Sequence, residues 1–369
     1  MSRHAYWLSA ALFVGLVLAK YDPATGFTSL IRFGDTWEDK RLPALQPLPL
    51  ASAKGSNGYD GQFYATVAID PLLRDAELNR VLDAPAYRAR RILVPLTAYM
   101  AGLGHPWWIL QAFALVNVAC WLVFGGILRR VIGEPSWIGF ARWFACMFGM
   151  GVLESVRQSL VDLPALLLLT LAVQAHARQR SAREATWFAL AALTKETSLL
   201  GAVALQEKNL MTGPRRRPLV VLLSAGLPLA LWSIYVGTRF HDPASSGMGN
   251  LSWPFGGVLI QLRYSLRELS FGNLDGRYSF GVLAMVGLAT QTFVVWTRAD
   301  RASPWWRVGA AYSILLVFLS YWVWSGYWAV CRAVMPLTIA FNLLLPGRRF
   351  WWFWLAGNLT LLHAVWRFF

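Results

Sequence analysis

A carboxylate with aromatic and glycine neighbours stands in the long polar region that follows the first apolar stretch of the chain. Its immediate sequence is Gly58-Tyr59-Asp60-Gly61-Gln62-Phe63-Tyr64. A positioned acid of this kind can remove a proton from a hydroxyl group, which accelerates a reaction by roughly 10²–10⁴-fold. At the outer face of a membrane it suggests catalysis on a lipid-borne substrate. The alternative is a turn in which Asp60 only accepts backbone hydrogen bonds.

The composition is that of a membrane protein. The chain has 369 residues, of which 56% are hydrophobic and 14% are charged, whereas soluble domains have about 25% charged residues. Several apolar runs reach the roughly 20 residues that cross about 30 Å of hydrocarbon. The alternating segments of a β-barrel are absent. We therefore predict an all-α, polytopic transmembrane helical bundle of about 10–11 membrane helices.

The net charge of +15 raises the question of nucleic-acid binding. The basic residues instead occur in short clusters between apolar segments, which is the positive-inside pattern. We therefore expect no nucleic-acid partner, and we expect the N-terminus on the cytoplasmic side of the inner (plasma) membrane. The clusters are Arg129-Arg130; Arg178, Arg180 and Arg183; Arg215-Arg216-Arg217; Arg298 and Arg301; and Arg348-Arg349.

The order of apolar and polar stretches divides the chain into five parts. A first transmembrane helix is followed by a long extracytoplasmic loop, which carries the Asp60 motif and interfacial helices such as 92–104. A central membrane module, a second outer loop and a set of C-terminal spans follow. The predicted parts are 1–20, 21–106, 107–237, 238–277 and 278–369. The predicted later spans are 107–128, 137–153, 160–177, 218–237, 278–296, 305–324, 330–346 and 350–366.

One apolar stretch has basic clusters on both sides. If both clusters are cytoplasmic, the chain between them crosses an even number of times, so we predict a hairpin of two half-helices near 186–207. The half-helices meet at Thr194-Lys195-Glu196-Thr197, where charges at depth are tolerated only if they line a cavity. The alternative is a single span with one cluster outside.

On this topology, charged side chains from distant parts of the sequence gather on the outer side. Buried or interfacial charges are costly and mark candidate functional sites. Simpler roles stay open: Asp162 as a helix N-cap, Lys195 paired with Glu196, the arginines as lipid anchors, and Asp70 and Asp83 as turn formers. The gathered residues are Asp60, Arg88, Arg90, Arg91, Glu154, Arg157, Asp162, Lys195, Glu196 and Arg332.

Several other classes of site are disfavoured. Cys120, Cys146 and Cys331 are isolated in apolar segments, so they indicate neither a metal site nor a disulfide framework. His105 stands alone, and His241-Asp242 has no partner histidine at metal-binding spacing. No motif for nucleotide, dinucleotide, zinc-protease or serine-hydrolase chemistry is present.

Four short motifs, together with the layout of the chain, carry a resemblance to a known family. They are Tyr59–Ala65 (YDGQFYA), Pro85–Leu96 (PAYRARRILVPL), Leu193–Thr197 (LTKET) and Arg332–Pro336 (RAVMP). These resemble the GT-C superfamily of polytopic membrane glycosyltransferases, in which an acid in the first outer loop carries catalysis. The first two motifs more narrowly resemble a bacterial family linked to cell-surface glycopolymer formation. Many GT-C enzymes have two adjacent acids where this chain has Asp60 and Gly61, which puts a metal site on paired acids in doubt.

The resemblance implies an inverting glycosyltransferase on the extracytoplasmic face. A sugar moves from a polyprenyl-phosphate donor in the membrane lipid to a cell-envelope glycan, lipid or protein acceptor. The motifs identify no cofactor with certainty, and a divalent cation, Mg²⁺ or Mn²⁺, stays open. The implied roles are Asp60 as general base; Lys195, Arg332, Arg88 and Arg91 as donor-phosphate ligands; Asp162 and Glu196 for the acceptor or an optional metal; and Tyr59, Gln62 and Tyr64 as supporting residues.

Two rival functions remain. A transporter or flippase of a lipid-linked saccharide typically has ionisable groups near the midplane and paired internal repeats. Here the charges gather at one face and no repeat is visible. A non-catalytic scaffold of a glycan-assembly complex is the other rival, and substitution of Asp60 separates it from an enzyme.

Overall fold

Helices form most of the regular structure, as the composition predicts. The computed structural model describes residues 2–133, 136–212, 216–240, 247–273, 275–347 and 351–368. The all-α class is confirmed, and strands in the described residues are limited to one two-stranded sheet. Arg215, Arg348-Arg349 and His241-Asp242, which the sequence places in cytoplasmic or outer connections, lie outside the described residues.

Three helices are long and apolar enough to cross a membrane, and one bent pair of helices is a fourth candidate. These lengths and compositions mark the chain as a membrane protein. On the helix Arg216–Arg239, residues such as Leu223 and Ile234 are 69% and 67% exposed, as expected for side chains that face lipid. The candidates are α6 (Pro106–Ile132), α12 (Arg216–Arg239), α14 (Gly276–Thr297), and the pair α17 (Tyr327–Ala333) and α18 (Met335–Leu344), bent by 68°.

The first helix and the long first loop build one side of the molecule. Short helices and a parallel pair of two-residue strands fold the loop against the membrane helices. Phe33 pairs with Ser52, and Gly34 pairs with Ala53. The elements are α1 (Ser2–Leu18), β1 (Phe33–Gly34), β2 (Ser52–Ala53), α2 (Asp60–Ile69), α3 (Leu78–Val81), α4 (Pro85–Ala89) and α5 (Leu93–Ala101), with 3₁₀ turns at Thr28–Leu30 and Asp35–Lys40.

The stretch with basic clusters on both sides consists of two antiparallel helices. Lys195 has an extended backbone, which ends the first helix, and a 3₁₀ turn at Glu196–Ser198 starts the return. Deep in the pair, Gln206 donates a 2.6 Å hydrogen bond to Glu184, so the second helix returns beside the start of the first. The central helices are α7 (Trp137–Met147), α8 (Met150–Arg157), α9 (Asp162–Ala177), α10 (Ser181–Thr194) and α11 (Leu199–Thr212).

Several spans predicted as continuous are broken into two helices. Gly149 is extended between α7 and α8, and Ser320 is extended at the end of the predicted 305–324 span. Pro336 stands in the first turn of α18, where its missing N–H costs no hydrogen bond. The stretch 238–277, predicted as a loop, contains a helix that the sequence did not predict. The remaining helices are α13 (Gly256–Ser270), α15 (Pro304–Phe318), α16 (Tyr321–Trp324), α19 (Trp351–Gly357) and α20 (Leu361–Phe368), with a 3₁₀ turn at Met248–Asn250.

Candidate functional site

Asp60 is the first residue of α2, and close packing of the backbone fixes its position. Tyr59 before it is extended, with φ −145° and ψ 176°. Gly61 after it lies so close to the chain at Gln158 that a Cβ atom would come within 2.1 Å of the Gln158 carbonyl oxygen. This close approach requires glycine at position 61, and it seats the start of α2 against the α8–α9 connection.

The carboxylate of Asp60 binds two arginines from distant parts of the chain. Nη2 of Arg88 lies 2.9 Å from Oδ1, and Nη2 of Arg332 lies 3.2 Å from Oδ2. Burial alone would raise the pKa of the Asp60 carboxyl. The guanidinium groups of Arg88 and Arg332 outweigh burial and hold that pKa well below its usual range. Asp60 is therefore an ionised member of a charge network, and its side chain is 29% exposed.

Arg332 joins Asp60 to a second carboxylate. Its Nη1 donates to Oδ2 of Asp162 at 3.1 Å, and Lys195 Nζ lies 2.6 Å from the other oxygen of Asp162. Asp162 is in the first turn of α9, but the cap position belongs to Val161, whose side chain accepts no capping bond. The structure therefore places Asp162 as the partner of two cations, and Lys195 does not pair with Glu196.

Arg91 and Glu196 form a second centre of the network. Nε and Nη2 of Arg91 lie 3.0 Å and 2.7 Å from the two carboxylate oxygens of Glu196, which is a bidentate pair. The Tyr64 hydroxyl lies between Arg91, at 2.7 Å, and Arg88, at 3.3 Å. Burial raises the pKa of the Tyr64 hydroxyl to about 12 despite both arginines. Tyr64 therefore stays neutral and spaces the two guanidinium groups.

The other two predicted supporting residues hold backbone and cations in place. The Tyr59 hydroxyl accepts hydrogen bonds from Trp328 Nε1 at 2.9 Å and from Arg332 Nη2 at 3.2 Å. Gln62 is buried, accepts from the Gly34 N–H at 3.0 Å and donates to the Asn57 carbonyl at 2.7 Å. Tyr59 thus orients Arg332, while Gln62 fastens the loop that precedes Asp60.

A cavity of about 640 Å³ opens in front of these residues. Five cationic and three anionic side chains line it, which leaves a surplus of two positive charges on the wall. Asp83, behind the wall, binds Arg88 at 2.9 Å and 2.7 Å and reduces that surplus by one. The wall is therefore suited to an anion. Its charged residues are Asp60, Arg88, Arg90, Arg91, Asp162, Lys195, Glu196 and Arg332.

The rest of the lining of the same cavity is mostly apolar. It comes mainly from the start of α11, the end of α15, and α16 and α17. Val203 and Trp322 are 56% and 75% exposed, so the apolar part of the lining reaches the surface. The apolar lining residues are Leu199, Leu200, Val203, Met248, Leu251, Leu315, Leu319, Trp322, Val323, Ala329 and Ala333.

The structure brings together most of the residues singled out from the sequence. Tyr59, Asp60 and the predicted phosphate ligands and acids line one cavity, whereas Gln62 and Tyr64 lie behind it. Glu154 and Arg157 do not line it, since Glu154 is buried with Arg157 and Arg367. Sequence reasoning missed Trp328, the role of Asp83, and Tyr87, whose hydroxyl accepts a hydrogen bond from Arg91. Asp83 precedes Arg88 by five residues, a short spacing that could have indicated the pair.

The carboxylates of the site do not fit a divalent cation. Asp60 and Asp162 share Arg332, and Glu196 is engaged by Arg91. Within the described ranges no group of three or more His, Cys, Asp or Glu side chains could hold a metal ion. Mg²⁺ and Ca²⁺ sites use several free oxygen ligands around one point.

Comparisons of the chain with models of protein families, with curated proteins and with solved structures found no match.

Proposed function

We propose that the chain is a GT-C-type membrane glycosyltransferase that moves a sugar from a polyprenyl-phosphate donor to a cell-envelope glycan, lipid or protein acceptor. The observation that carries the proposal is the mixed lining of the cavity, which combines cationic side chains beside Asp60 with apolar side chains that reach the surface at Val203 and Trp322. A lipid phosphate has this division into an anionic head and a hydrocarbon tail. The head would lie against Arg332 and Lys195, and the tail would leave past Val203 and Trp322.

The proposed reaction is an inverting displacement. The acceptor oxygen forms a bond to the anomeric carbon, the bond from that carbon to the phosphate oxygen breaks, and Asp60 takes the acceptor's proton. The lipid phosphate leaves with one more negative charge than it had in the donor. Preorganised cations near that charge stabilise the transition state, and Arg332, Lys195, Arg88 and Arg91 supply them.

The ion pairs of Asp60 bear on its role as a base. A carboxylate held by two guanidinium groups is a weak base, because both groups favour its ionised form. A donor phosphate against Arg332 and Arg88 competes with Asp60 for the same N–H groups. Donor binding would thus weaken the hold of the arginines on Asp60 and raise its pKa towards the range that proton transfer requires. In this proposal the base becomes effective only with donor in place.

The geometry of α9 and α10 supports an extracytoplasmic position for the cavity. Lys195 follows the last residue of α10, and the basic cluster of Arg178, Arg180 and Arg183 stands at the helix's other end. The 14 residues of α10 make it about 21 Å long. If the basic cluster is cytoplasmic, the cavity faces the outer side of the inner membrane.

A complementation experiment tests the proposal. A strain that lacks the gene receives the wild-type chain or the Asp60→Asn variant at equal membrane levels, and the surface glycan is compared. We expect wild type to restore the glycan and Asp60→Asn to fail. Full restoration by Asp60→Asn would reject the enzyme and favour the scaffold. Accumulation of donor lipid only on the cytoplasmic side of the membrane in the deletion strain would instead favour a flippase.

A further inference from the structure

A second cavity, of about 300 Å³, lies at the far end of α9 and α10 from the Asp60 cavity. Three arginines, Arg178, Arg180 and Arg183, line it together with the ring of Trp187 and the side chain of Leu171. We refer to it as the basic cleft. We propose that the basic cleft binds the phosphate group of an anionic phospholipid headgroup.

The charge of the cleft is uncompensated. In the Asp60 cavity, Arg88, Arg91 and Arg332 each pair with a carboxylate. In the part of the chain that the structure describes, the three arginines of the basic cleft have no carboxylate partner. Guanidinium groups present paired donors that match phosphate oxygens, so the basic cleft offers three such groups that no described carboxylate engages.

The acid closest in sequence faces away from the cleft. Glu184 follows Arg183 directly, yet it is buried, with an exposed fraction of 1%. Its carboxylate lies 2.8 Å from His176 Nδ1 and accepts a 2.6 Å hydrogen bond from Gln206. This buried contact ties α9, α10 and α11 together and keeps the Glu184 carboxylate away from the arginines of the cleft.

A tight turn holds the arginines in place. Gln179 has a left-handed backbone with φ +57°. The N–H of Gln179 donates to the His176 carbonyl, and the N–H of Arg180 donates to the Ala175 carbonyl, both at 2.9 Å. These bonds close the end of α9. Since α10 begins at Ser181, Arg178 and Arg180 flank the turn, and the cleft is built on a fixed backbone.

The apolar residues of the cleft favour a lipid headgroup over free phosphate as the ligand. Free phosphate needs only the arginines, whereas a lipid places hydrocarbon next to its headgroup. Trp187 and Leu171 supply an apolar side, and Trp is enriched at membrane interfaces where one side is apolar and the other wet. Basic pockets between helices on the cytoplasmic side suit anionic lipid headgroups.

Lipid binding by the purified full-length chain tests this assignment. Native mass spectrometry follows titration of the detergent-solubilised protein with phosphatidylglycerol, with phosphatidylcholine, and with inorganic phosphate as a competitor. We expect phosphatidylglycerol to bind at least about tenfold more tightly than phosphatidylcholine. The variant Arg178→Gln/Arg180→Gln/Arg183→Gln should lose at least about tenfold of that affinity, because it removes the three guanidinium groups that donate to the phosphate.

A matched variant controls for overall charge. The variant Arg130→Gln/Arg217→Gln/Arg298→Gln also removes three positive charges, but from exposed positions outside the cleft. It should keep phosphatidylglycerol binding. Equal losses in both variants, or no preference for phosphatidylglycerol in the wild type, would overturn the proposal. Displacement of phosphatidylglycerol by inorganic phosphate at equal concentration would also overturn it, because the cleft would then be a free-phosphate site.

A measurement on the unmodified chain covers the case in which the triple variant does not fold. A photoactivatable phosphatidylglycerol is crosslinked to the wild-type protein, and the labelled peptides are identified. We expect crosslinks within 171–187. Crosslinks confined to other parts of the chain would reject the basic cleft as the binding site.

Discussion

Arg332 and Asp60 are 272 residues apart in the chain, yet Nη2 of Arg332 lies 3.2 Å from Oδ2 of Asp60. The same guanidinium group reaches Asp162 through Nη1 at 3.1 Å, so one side chain from α17 joins the starts of α2 and α9. Arg332 is 11% exposed, and its Nε has no hydrogen-bond partner in the described residues. Arg332 therefore organises the cavity wall and keeps a spare donor.

Asp60→Asn should abolish transfer of sugar while Asp83→Asn should not. Each substitution removes one carboxylate that binds Arg88 Nη2, which lies 2.9 Å from Asp60 Oδ1 and 2.7 Å from Asp83 Oδ2. Of the two acids, only Asp60 lines the cavity. Loss of a positioned base lowers the rate by roughly 10²–10⁴-fold, and we expect the loss in Asp83→Asn to stay below about tenfold. The measurement is the single-turnover rate with a polyprenyl-phosphate sugar. Equal losses in the two variants would assign the effect to Arg88 and remove Asp60 as the base.

Arg332→Gln should shift the acid limb of the pH–rate profile to higher pH. Burial raises the pKa of the Asp60 carboxyl, and Arg88 and Arg332 lower it below its ordinary value of 3.8. Without Arg332 one of the two opposing charges is gone, so the pKa of Asp60 rises and the carboxylate becomes protonated at a higher pH. The profile of kcat/KM checks this. The matched variant Arg90→Gln removes another cation that lines the cavity and keeps the contacts of Asp60 with Arg88 and Arg332, so its acid limb should stay in place. An unchanged limb in Arg332→Gln would contradict the coupling.

Lys195→Ala should weaken use of the donor. Lys195 Nζ lies 2.6 Å from Asp162 and lines the cavity. Its removal takes away a phosphate ligand and also leaves Asp162 with Arg332 alone, so Arg332 is less available to phosphate. We expect kcat/KM for the donor to fall by about ten- to a hundredfold, with KM for the acceptor changed little. Lys54→Ala removes an exposed lysine of the first loop and should match wild type. Unchanged donor dependence in Lys195→Ala would make Lys195 structural.

Gly61→Ala should destabilise the chain and disable the site. A Cβ atom at this position would lie 2.1 Å from the Gln158 carbonyl oxygen and 2.8 Å from the Ile31 carbonyl oxygen. Both neighbours are backbone, so α2 must move, and overpacking of this kind costs about 1–3 kcal/mol or more. Gly126→Ala is the control, since a Cβ atom at that position meets nothing within 4 Å. Thermal unfolding in detergent measures both. A Gly61→Ala variant as stable as Gly126→Ala would contradict the close packing at Asp60.

The Asp60 ion pairs should stabilise the fold above acidic pH only. A carboxyl whose pKa is depressed in the folded state contributes stability that is fully present above its unfolded pKa and is lost as the pH falls below it. The unfolded value is near 3.8. The difference in unfolding temperature between wild type and Asp60→Asn should therefore be constant from about pH 7 to about pH 5 and shrink towards about pH 3. A difference that grew on acidification would have the wrong sign.

The helical class and the main candidate spans could be predicted from the amino-acid sequence, because these follow from local composition. Apolar runs at 107–128, 218–237 and 278–296 correspond to α6, α12 and α14. Breaks at Gly149 and Ser320 were not anticipated, since a long apolar run has the same composition whether or not one residue in it is extended. The helix α13 (Gly256–Ser270) was likewise hidden by the glycine-rich residues around it.

The residue types at the site were also visible in the sequence, whereas their pairing was decided by tertiary structure. Charges at Asp162, Lys195 and Arg332 stand out against apolar surroundings, and Asp60 stands out by its glycine and aromatic neighbours. Sequence alone left Lys195 free to pair with Glu196, its neighbour. In the fold, Lys195 instead pairs with Asp162, and Glu196 pairs with Arg91. Charged side chains that packing brings within 3 Å of each other interact more strongly than adjacent residues that point apart. Which cation faces which acid, and which apolar residues line the same cavity, depends on contacts between residues far apart in the chain.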